Sequence, residues 1–284
     1  MNAEGLDKYP VDLVCHTLGI SRSAYYNRAR TPQTEKEREL VYLRSECARL
    51  FVENNSEYGR KTLCKAMNEN GHRVTESKTR ELMRMEGLVA KKARKYKQTT
   101  NSKHKHEVAK NILNQEFTVT EPNKVWCGDS TFIPTDEGFL YAAAIIDLCD
   151  RSCVGLSVGE RHTQELMLNA LDNAYREHKP VSGLLHHSDR GVQYAANDYK
   201  SRLKHYGMVQ SMSNSGVPYD NAPMESFWAT VKIGCIHGRR FRTKNEAIKA
   251  IYEYVYGFYN TRRYHTSIGM EIPNLYRKKL LNRL

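Results

Sequence analysis

Residues 124–150, KVWCGDSTFIPTDEGFLYAAAIIDLCD, decide the fold class of this 284-residue chain. The first half of the stretch alternates apolar and polar side chains and is rich in β-formers, which predicts a strand. Residues 136–138 (DEG) predict a hairpin turn, and the apolar run after them predicts a second, antiparallel strand. Residues 152–161, SCVGLSVGER, then predict a third strand after a turn at Asp150-Arg151.

Strands and helices alternate in the remainder of the chain. We expect an amphipathic helix at 163–178 with Thr163 as its cap, a short buried strand at 183–189, and a fifth strand at 208–213. Pro223 is placed where the first turn of a helix tolerates proline. Three antiparallel strands followed by alternating strands and helices predict an α/β fold with a mixed five-stranded sheet. A further helix is predicted at about 197–207. Another is predicted to begin near Asp220-Asn221, with these two residues as its cap. A last long helix is predicted at about 243–263.

The first third of the chain has helical periodicity instead. The pattern predicts a helical pair in 10–29, a long helix in 34–54, and two short helices that each end at a glycine, 59–71 and 75–87. The composition and the patterns then divide the chain into a helical segment, a helix-turn-helix-like region, a basic linker, and an α/β region with C-terminal helices. Their predicted boundaries are 1–32, 33–90, 91–120 and 121–284.

Basic charge is concentrated in the helical third. The chain has 44 Lys+Arg against 32 Asp+Glu, a net charge of +12, which favours a polyanionic partner. Residues 1–110 hold 23 − 14 = +9 of it and residues 111–284 hold 21 − 18 = +3. Two interpretations of the short helix pair remain open. Either its second helix presents Lys78, Arg80 and Arg84 to a DNA groove, or the pair belongs to a small bundle with a solvated basic face.

Several function classes are excluded or disfavoured by composition. No run of about 18 apolar residues exists, which excludes a membrane-spanning helix. The first residues lack the layout of a secretion signal, and the seven cysteines include no CxxC pair. We therefore expect a cytoplasmic protein with reduced thiols and no structural zinc.

Three carboxylates occupy positions that suit chemistry rather than folding. Asp129 lies in the middle of the first predicted strand, where an unpaired charge is costly. Asp189 lies at the end of the fourth strand, and Glu225 in the first turn of the helix after the fifth. The predicted topology allows all three to converge, and carboxylates that converge need a cation such as Mg²⁺ or Mn²⁺. Asp147 and Asp150 are interpreted as strand-end and turn residues.

The spacing of these acids carries a family resemblance. Thirty-five residues separate Asp189 from Glu225, which matches the D,D-35-E pattern of the retroviral integrase superfamily. The segments VWCGDSTFI, HHSDRGVQY, SMSNSGVPYDNAPMESFWATVK and FYNTRRYH…EIP closely resemble OrfB transposases of the IS-three group of bacterial insertion sequences. The resemblance is strong over 123–280 and looser over LGISRSAYYN and 36–90.

The resemblance assigns expected roles to individual residues. It implies an RNase H-like catalytic domain in which Asp129, Asp189 and Glu225 bind two Mg²⁺ or Mn²⁺ ions and are catalytic. Lys232, two helical turns after Glu225, is expected to contact DNA, with a solvated lysine as the alternative. Arg263 and His265 match a family motif, and their expected role is DNA contact, packing of the last helix, or both. His187 beside Asp189 is expected to be a buried histidine with satisfied hydrogen bonds, with orientation of a water or phosphate as the alternative.

The activity implied by the resemblance is transposition. The chain is expected to cut DNA at the ends of an insertion sequence and to transfer the exposed 3′-hydroxyl into target DNA. Expected partners are double-stranded DNA, further copies of the chain, and the product of an upstream, OrfA-type frame, in the bacterial cytoplasm at the nucleoid. The alternatives are a non-catalytic DNA-binding protein with a decayed core, and an RNase H-like nuclease acting on RNA–DNA hybrids.

Overall fold

A computed structural model describes residues 9–30, 33–91 and 108–282. Most of the predicted basic linker, residues 92–107, lies outside the described residues. Two π-helical segments, Lys232–Ile236 and Val255–Tyr259, directly continue the α-helices Ala222–Val231 and Lys244–Tyr254. The elements are α1 (Val11–Leu18), α2 (Arg22–Arg30), α3 (Glu35–Glu53), α4 (Arg60–Glu69), α5 (Glu76–Met85), β1 (Val125–Thr135), β2 (Gly138–Asp147), β3 (Cys153–Gly159), α6 (Gln164–His178), β4 (Leu185–Ser188), α7 (Val192–Ala195), α8 (Asn197–His205), β5 (Val209–Met212), α9 (Ala222–Val231), α10 (Lys244–Tyr254) and α11 (Pro273–Leu281).

The N-terminal helices begin where capping residues stand in the sequence. The side chain of Thr34 accepts a hydrogen bond from the Glu37 N–H, and the Glu37 carboxylate accepts one from the Thr34 N–H, which forms a capping box. Thr75 accepts from the Lys78 N–H in the same way at the start of α5. Helices α3, α4 and α5 pack against one another, which satisfies the apolar stripe that predicted them.

The sheet confirms the predicted mixed five-stranded topology. Its strand order is β3-β2-β1-β4-β5, with β1, β2 and β3 antiparallel and β4 and β5 parallel to β1. Thr135 pairs with Gly138 across the predicted hairpin turn. Gly128 pairs with Ser188 in the parallel ladder, so Asp129, the next residue of β1, and Asp189, the first residue after β4, follow at neighbouring positions.

The sheet separates two apolar layers. Successive residues of a strand point to opposite faces, so Cys127 and Ile133 lie in one core and Trp126 in the other. Helices α6 and α8 cover the Trp126 face, and α9 and α10 cover the opposite face. Gly155 of β3 faces the backbone of α6 so closely that a Cβ there would meet the Ala170 carbonyl oxygen.

The helical region and the C-terminal helices share one core. Leu50 and Leu63, from α3 and α4, belong to the same buried cluster as Met224 of α9 and Phe258 near the end of α10. Helices α3 to α5 therefore pack on the layer that covers the sheet.

The second half of the predicted linker is not a linker. Residues 108–120 pack against the catalytic region: Leu113 is buried, and the side chains of Asn111 and Gln115 donate to the Asp220 carboxylate. The predicted capping role of Asp220-Asn221 is also wrong, because Asn221 at the N-cap of α9 makes no side-chain cap hydrogen bond. Asp220 instead fixes the segment before the sheet.

The seven cysteines are free thiols, and all but Cys64 are buried. In the described parts of the chain, no helix combines the length and the apolar character needed to cross a bilayer.

Asp147 and Asp150 form a buried ion cluster with a distant arginine. Both carboxylates are fully buried, and the Arg277 guanidinium of α11 lies 3.0 Å from Asp147 Oδ2 and 2.7 Å from Asp150 Oδ2. Burial and the neighbouring Asp150 charge raise the pKa of Asp147 to about 6, although Arg277 lowers it. These aspartates thus anchor the C-terminal helix, which their interpretation as simple strand-end and turn residues missed.

Removing the arginine should be costly. We expect Arg277→Ala to lower the free energy of unfolding by about 3–5 kcal/mol near pH 8, because two buried carboxylates lose their counter-ion. A carboxyl whose pKa is raised on folding favours the folded state at low pH, so the loss should shrink at pH 5. Urea unfolding at both pH values measures it. Lys278→Ala, an exposed neighbour, is the control, and an equally small loss for both variants would contradict the cluster's role.

Candidate active site

Asp129 lies in the middle of β1, opposite Ala144 of β2. It is half-buried, and β1 is covered on both faces by core side chains at the positions before it. A charged side chain on a central strand is held in place by its neighbours, which gives Asp129 a fixed position at the edge of the covered region.

Asp189 directly follows β4, at the carboxyl end of the strand that is parallel to β1. Its Oδ1 accepts a hydrogen bond of 2.9 Å from the Gly191 N–H, which orients the carboxylate in the turn before α7. A Cβ at position 191 would lie 3.0 Å from that same oxygen, so glycine leaves room for the carboxylate.

Glu225 lies in the first turn of α9, and its side chain is exposed. Met224, Phe227 and Val231 on the same helix are buried, which confirms them as the core-facing stripe. Helical spacing therefore places Glu225 on a face of α9 that the core does not cover.

The charges of the three carboxylates act on one another. Desolvation and then the negative charge of Asp189 raise the pKa of Asp129 well above its usual range, and the charge of Glu225 raises it further. The Ser130 N–H and the Lys232 ammonium oppose this shift. Partial desolvation also raises the pKa of Glu225. The charges of Asp189 and Glu225 thus act on Asp129, and a shared site of the three acids stays a prediction.

The donor set suits a hard divalent cation. Carboxylate oxygens are the ligands of Mg²⁺ and Mn²⁺, and the repulsion at Asp129 is the kind that such an ion relieves. However, within the described residues no three carboxylate, imidazole or thiolate groups stand close enough together to hold a metal ion. The carboxylate oxygens suit a divalent cation in their chemistry, and metal binding by these three residues stays a prediction.

Lys232 is buried, with 7% of its surface exposed, and its ammonium lies 5.5 Å from the centre of the Phe132 ring. It begins the π-helical segment after α9, and its charge lowers the pKa of Asp129. The structure thus places Lys232 beside the carboxylates and not on an open helix surface, which excludes the alternative of a solvated lysine. Its predicted contact with DNA stays a prediction.

Comparisons with known proteins show the family of the chain. Two models described as "Integrase core domain" match residues 119–218 and 206–273. The chain is 41% identical over 266 residues to an uncharacterized 31 kDa protein of insertion element IS600 of Shigella sonnei, covering 94% of this chain and 98% of that protein. It is 38% identical to the transposase for insertion sequence element IS904 of Lactococcus lactis, covering 88% and 98%. It is 32% identical to transposase InsF for insertion sequence IS3A of Escherichia coli, covering 96% of each chain.

The chain belongs to the IS3 family of insertion-sequence transposases. Solved structures with lower similarity include a simian T-cell lymphotropic virus intasome in complex with PP2A regulatory subunit B56 gamma (14% identity, TM-score 0.48, 81% of this chain and 74% of that one). Another is the HTLV-2 integrase catalytic core in complex with magnesium (13% identity, TM-score 0.40, 55% and 97%). The family implies DNA cleavage and strand transfer as the general activity of the transposase.

His187 of the transposase is a buried histidine with satisfied hydrogen bonds. Its Nδ1 lies 2.9 Å from Ser211 Oγ and its Nε2 lies 3.2 Å from Ser213 Oγ. Burial lowers its pKa to about 4, so the ring is neutral near pH 7. These contacts favour the structural role over orientation of a water.

Sequence reasoning missed a second polar group beside the acids. His162 Nε2 lies 2.8 Å from Ser130 Oγ, and Gln193 Nε2 lies 3.0 Å from His162 Nδ1. Desolvation lowers the pKa of His162, and the negative charge of Asp189 opposes this shift in part. Because Asp189 acts on it, the imidazole belongs to the surroundings of the candidate site. Only the position of Ser130 next to Asp129 signals this group in the sequence, because its partners lie about thirty residues or more away.

The predicted DNA-binding residues of α5 differ in their surroundings. Arg80 and Arg84 are exposed, whereas Lys78 is half-buried and pairs with Glu81 at 3.1 Å. The helical region places these residues away from the shared core, so both the groove-facing helix and the solvated basic face remain compatible with the packing.

The predicted cationic residues near the C-terminus are occupied by packing contacts. Arg263 Nη1 lies 3.1 Å from Glu57 Oε2, and the Arg263 side chain is only 22% exposed. His265 packs against Tyr259, and burial lowers its pKa to about 3. The structure shows the packing role for both residues, and the DNA contact stays a prediction.

The mutual repulsion at the site predicts a stability effect. We expect Asp129→Asn to raise the free energy of unfolding by about 1 kcal/mol at pH 8 in EDTA, because the variant removes a carboxylate whose ionised form is disfavoured by folding. A raised folded-state pKa costs stability only as pH rises, so the gain should disappear near pH 4. Urea titrations at both pH values measure it, and a variant that is less stable than the parent at pH 8 would contradict the repulsion.

Proposed function

We propose that this transposase cuts DNA at the ends of its insertion sequence and joins the exposed 3′-hydroxyl to target DNA, with Asp129, Asp189 and Glu225 as its catalytic residues. The observation that carries the proposal is the parallel pairing of β1 with β4, in which Gly128 lies opposite Ser188, so that Asp129 and Asp189 follow at neighbouring positions. The charges of Asp189 and Glu225 raise the pKa of Asp129, which supports a shared role for three acids that are 60 and 36 positions apart along the chain.

The chemistry requires two in-line displacements at phosphorus. In the first, a water oxygen bonds to phosphorus, the bond to the 3′ oxygen breaks, and the 3′ oxygen takes up a proton. In the second, that 3′-hydroxyl attacks a phosphodiester of the target, its proton is lost, and a target 3′ oxygen leaves. One phosphodiester bond is exchanged for another in the second displacement, so no nucleotide cofactor is needed and the chain supplies positioning and charge stabilisation.

Asp129, Asp189 and Glu225 would hold two Mg²⁺ or Mn²⁺ ions when DNA is bound. Such ions would supply the positive charge that activates an attacking oxygen and stabilises a leaving one. The Gly191 N–H fixes the Asp189 carboxylate, and the fold of β1 fixes Asp129. Glu225, exposed on α9, supplies the third carboxylate from the side that solvent and DNA reach.

The remaining residues bind the DNA. Lys78, Arg80 and Arg84 of α5 are proposed to contact the phosphates of the element end, and Lys232 a phosphate near the cut bond, where an ammonium suits a phosphate oxygen. Arg263 and His265 are proposed to act mainly through packing, with phosphate contact as a further role. The chain is further proposed to act as a homo-oligomer on paired ends, alone or with an upstream-frame partner, in the bacterial cytoplasm at the nucleoid.

Single carboxylate variants test the catalytic proposal. We expect Asp129→Asn, Asp189→Asn and Glu225→Gln each to lose at least about 1,000-fold in Mg²⁺-dependent cutting of a duplex that carries the terminal repeats flanking the gene. Duplex binding should persist, because none of these residues supplies a positive charge. Asp198→Asn, an exposed acid at the start of α8, is the control. Cutting by all three variants at the parent rate would remove the proposal, and preference for an RNA–DNA hybrid would favour the nuclease alternative.

Salt dependence tests the proposed role of α5. We expect Arg80→Gln/Arg84→Gln to weaken duplex binding about tenfold and to lower the slope of log K against log salt by about 2, since each phosphate contact contributes roughly 0.9. Lys36→Gln/Arg38→Gln removes the same charge from exposed positions of α3. Fluorescence anisotropy across a salt series measures both. Equal slopes for the two double variants would show that α5 contributes only net charge.

A further inference from the structure

The turn between α3 and α4 carries a buried carboxylate into the catalytic half of the molecule. The Glu57 side chain is only 3% exposed. Its Oε2 lies 3.1 Å from Arg263 Nη1 and accepts a 2.9 Å hydrogen bond from the Tyr254 hydroxyl. Burying an ion pair in this way costs desolvation that apolar side chains would avoid, so the pair points to a requirement for geometry.

A glycine makes room for this carboxylate. Gly234 lies in the π-helical segment Lys232–Ile236, and a Cβ at that position would meet Glu57 Oε1 and the Tyr254 ring. The π-helical segment and Glu57 therefore fit together without space for any side chain between them. Lys232 begins the same segment, two residues before the glycine.

Tyr254 links Glu57 to the end of the catalytic helix. Its hydroxyl also lies 3.3 Å from the carbonyl oxygen of Thr230, one residue before the end of α9. The change from α-helical to π-helical geometry follows at once, and backbone groups at such a change need partners from outside the helix. Glu57 thus positions the side chain that lies against this carbonyl.

The surrounding contacts hold the helical region in the same place. The Tyr58 hydroxyl donates to the Arg262 carbonyl oxygen at 2.7 Å, and Tyr264 bonds to Glu69. Lys65 lies over the Tyr264 ring at 5.5 Å. Helix α4 and the turn before it are therefore fixed to the C-terminal part of the chain at several points, and Glu57 is linked to α9 through the Tyr254 hydroxyl.

We propose that Glu57 is a positioning residue of the transposition reaction. It holds the end of α9 and the π-helical segment that begins with Lys232, and so couples the docked helical region to the catalytic site. This inference rests on the proposed function. A shift of this π-helical segment would move the Lys232 ammonium relative to Asp129. Small displacements of charged groups at a reacting centre lower the reaction rate by large factors.

The test compares four variants with the parent. Glu57→Ala and Tyr254→Phe should each slow single-turnover cutting about tenfold, because about 1 Å of misplacement of a charged group is enough for such a loss of rate. The rate is measured at saturating terminal-repeat duplex and Mg²⁺, about 20 degrees below the melting temperature of each protein. Glu57→Gln keeps an acceptor oxygen and should lose no more than about threefold. Duplex affinity should stay within about twofold for all of them, because no positively charged side chain is removed and the exposed basic residues of α5 are unchanged. Glu53→Gln, at the end of α3 and paired with Arg49, should match the parent.

Hydrogen–deuterium exchange provides a readout that needs no catalysis. The backbone amides of residues 225–236 should exchange faster in Glu57→Ala and in Tyr254→Phe than in the parent. In Glu53→Gln their exchange rates should equal those of the parent. Parent-like cutting together with parent-like exchange in both variants would overturn the inference. A parent protein that fails to cut in Mg²⁺ would overturn the proposed function instead, while the exchange data would still decide whether Glu57 holds this segment.

Discussion

The parallel pairing of β1 with β4 is the constraint on which the site depends. Gly128 and Ser188 lie opposite each other in that ladder, so Asp129 and Asp189 follow at neighbouring positions on adjacent strands. The sheet holds two like charges together although the charge of Asp189 disfavours the ionisation of Asp129. Apolar layers on both faces supply the stability that this arrangement costs, and the arrangement creates a demand for positive charge that Lys232 meets only in part.

The elements of the fold that sequence could predict are those with a local pattern. The alternation in β1, the apolar run of β2, the two-residue turn between them, and the Met224, Phe227 and Val231 stripe of α9 all depend on residues close together along the chain. The positions of Asp129, Asp189 and Glu225 within their elements followed from the same patterns, and the family resemblance of the surrounding segments identified them as a set.

The contacts that escaped prediction join residues far apart along the chain. Arg277 and Asp147 are 130 positions apart, and Arg263 and Glu57 are 206 apart. In sequence each of these is an ordinary charged residue with no periodicity to mark it as buried. The packing of residues 108–120 escaped for a related reason, because its polar side chains find partners such as Asp220 only after the catalytic region has folded.

The most direct test of a shared cation site is a crystal structure with Mn²⁺ and duplex bound, with the ions located by their anomalous scattering. The account predicts manganese between the carboxylates of Asp129 and Asp189, with Glu225 drawn in as a third ligand. Manganese bound elsewhere, or carboxylates that stay apart around an empty centre, would contradict it.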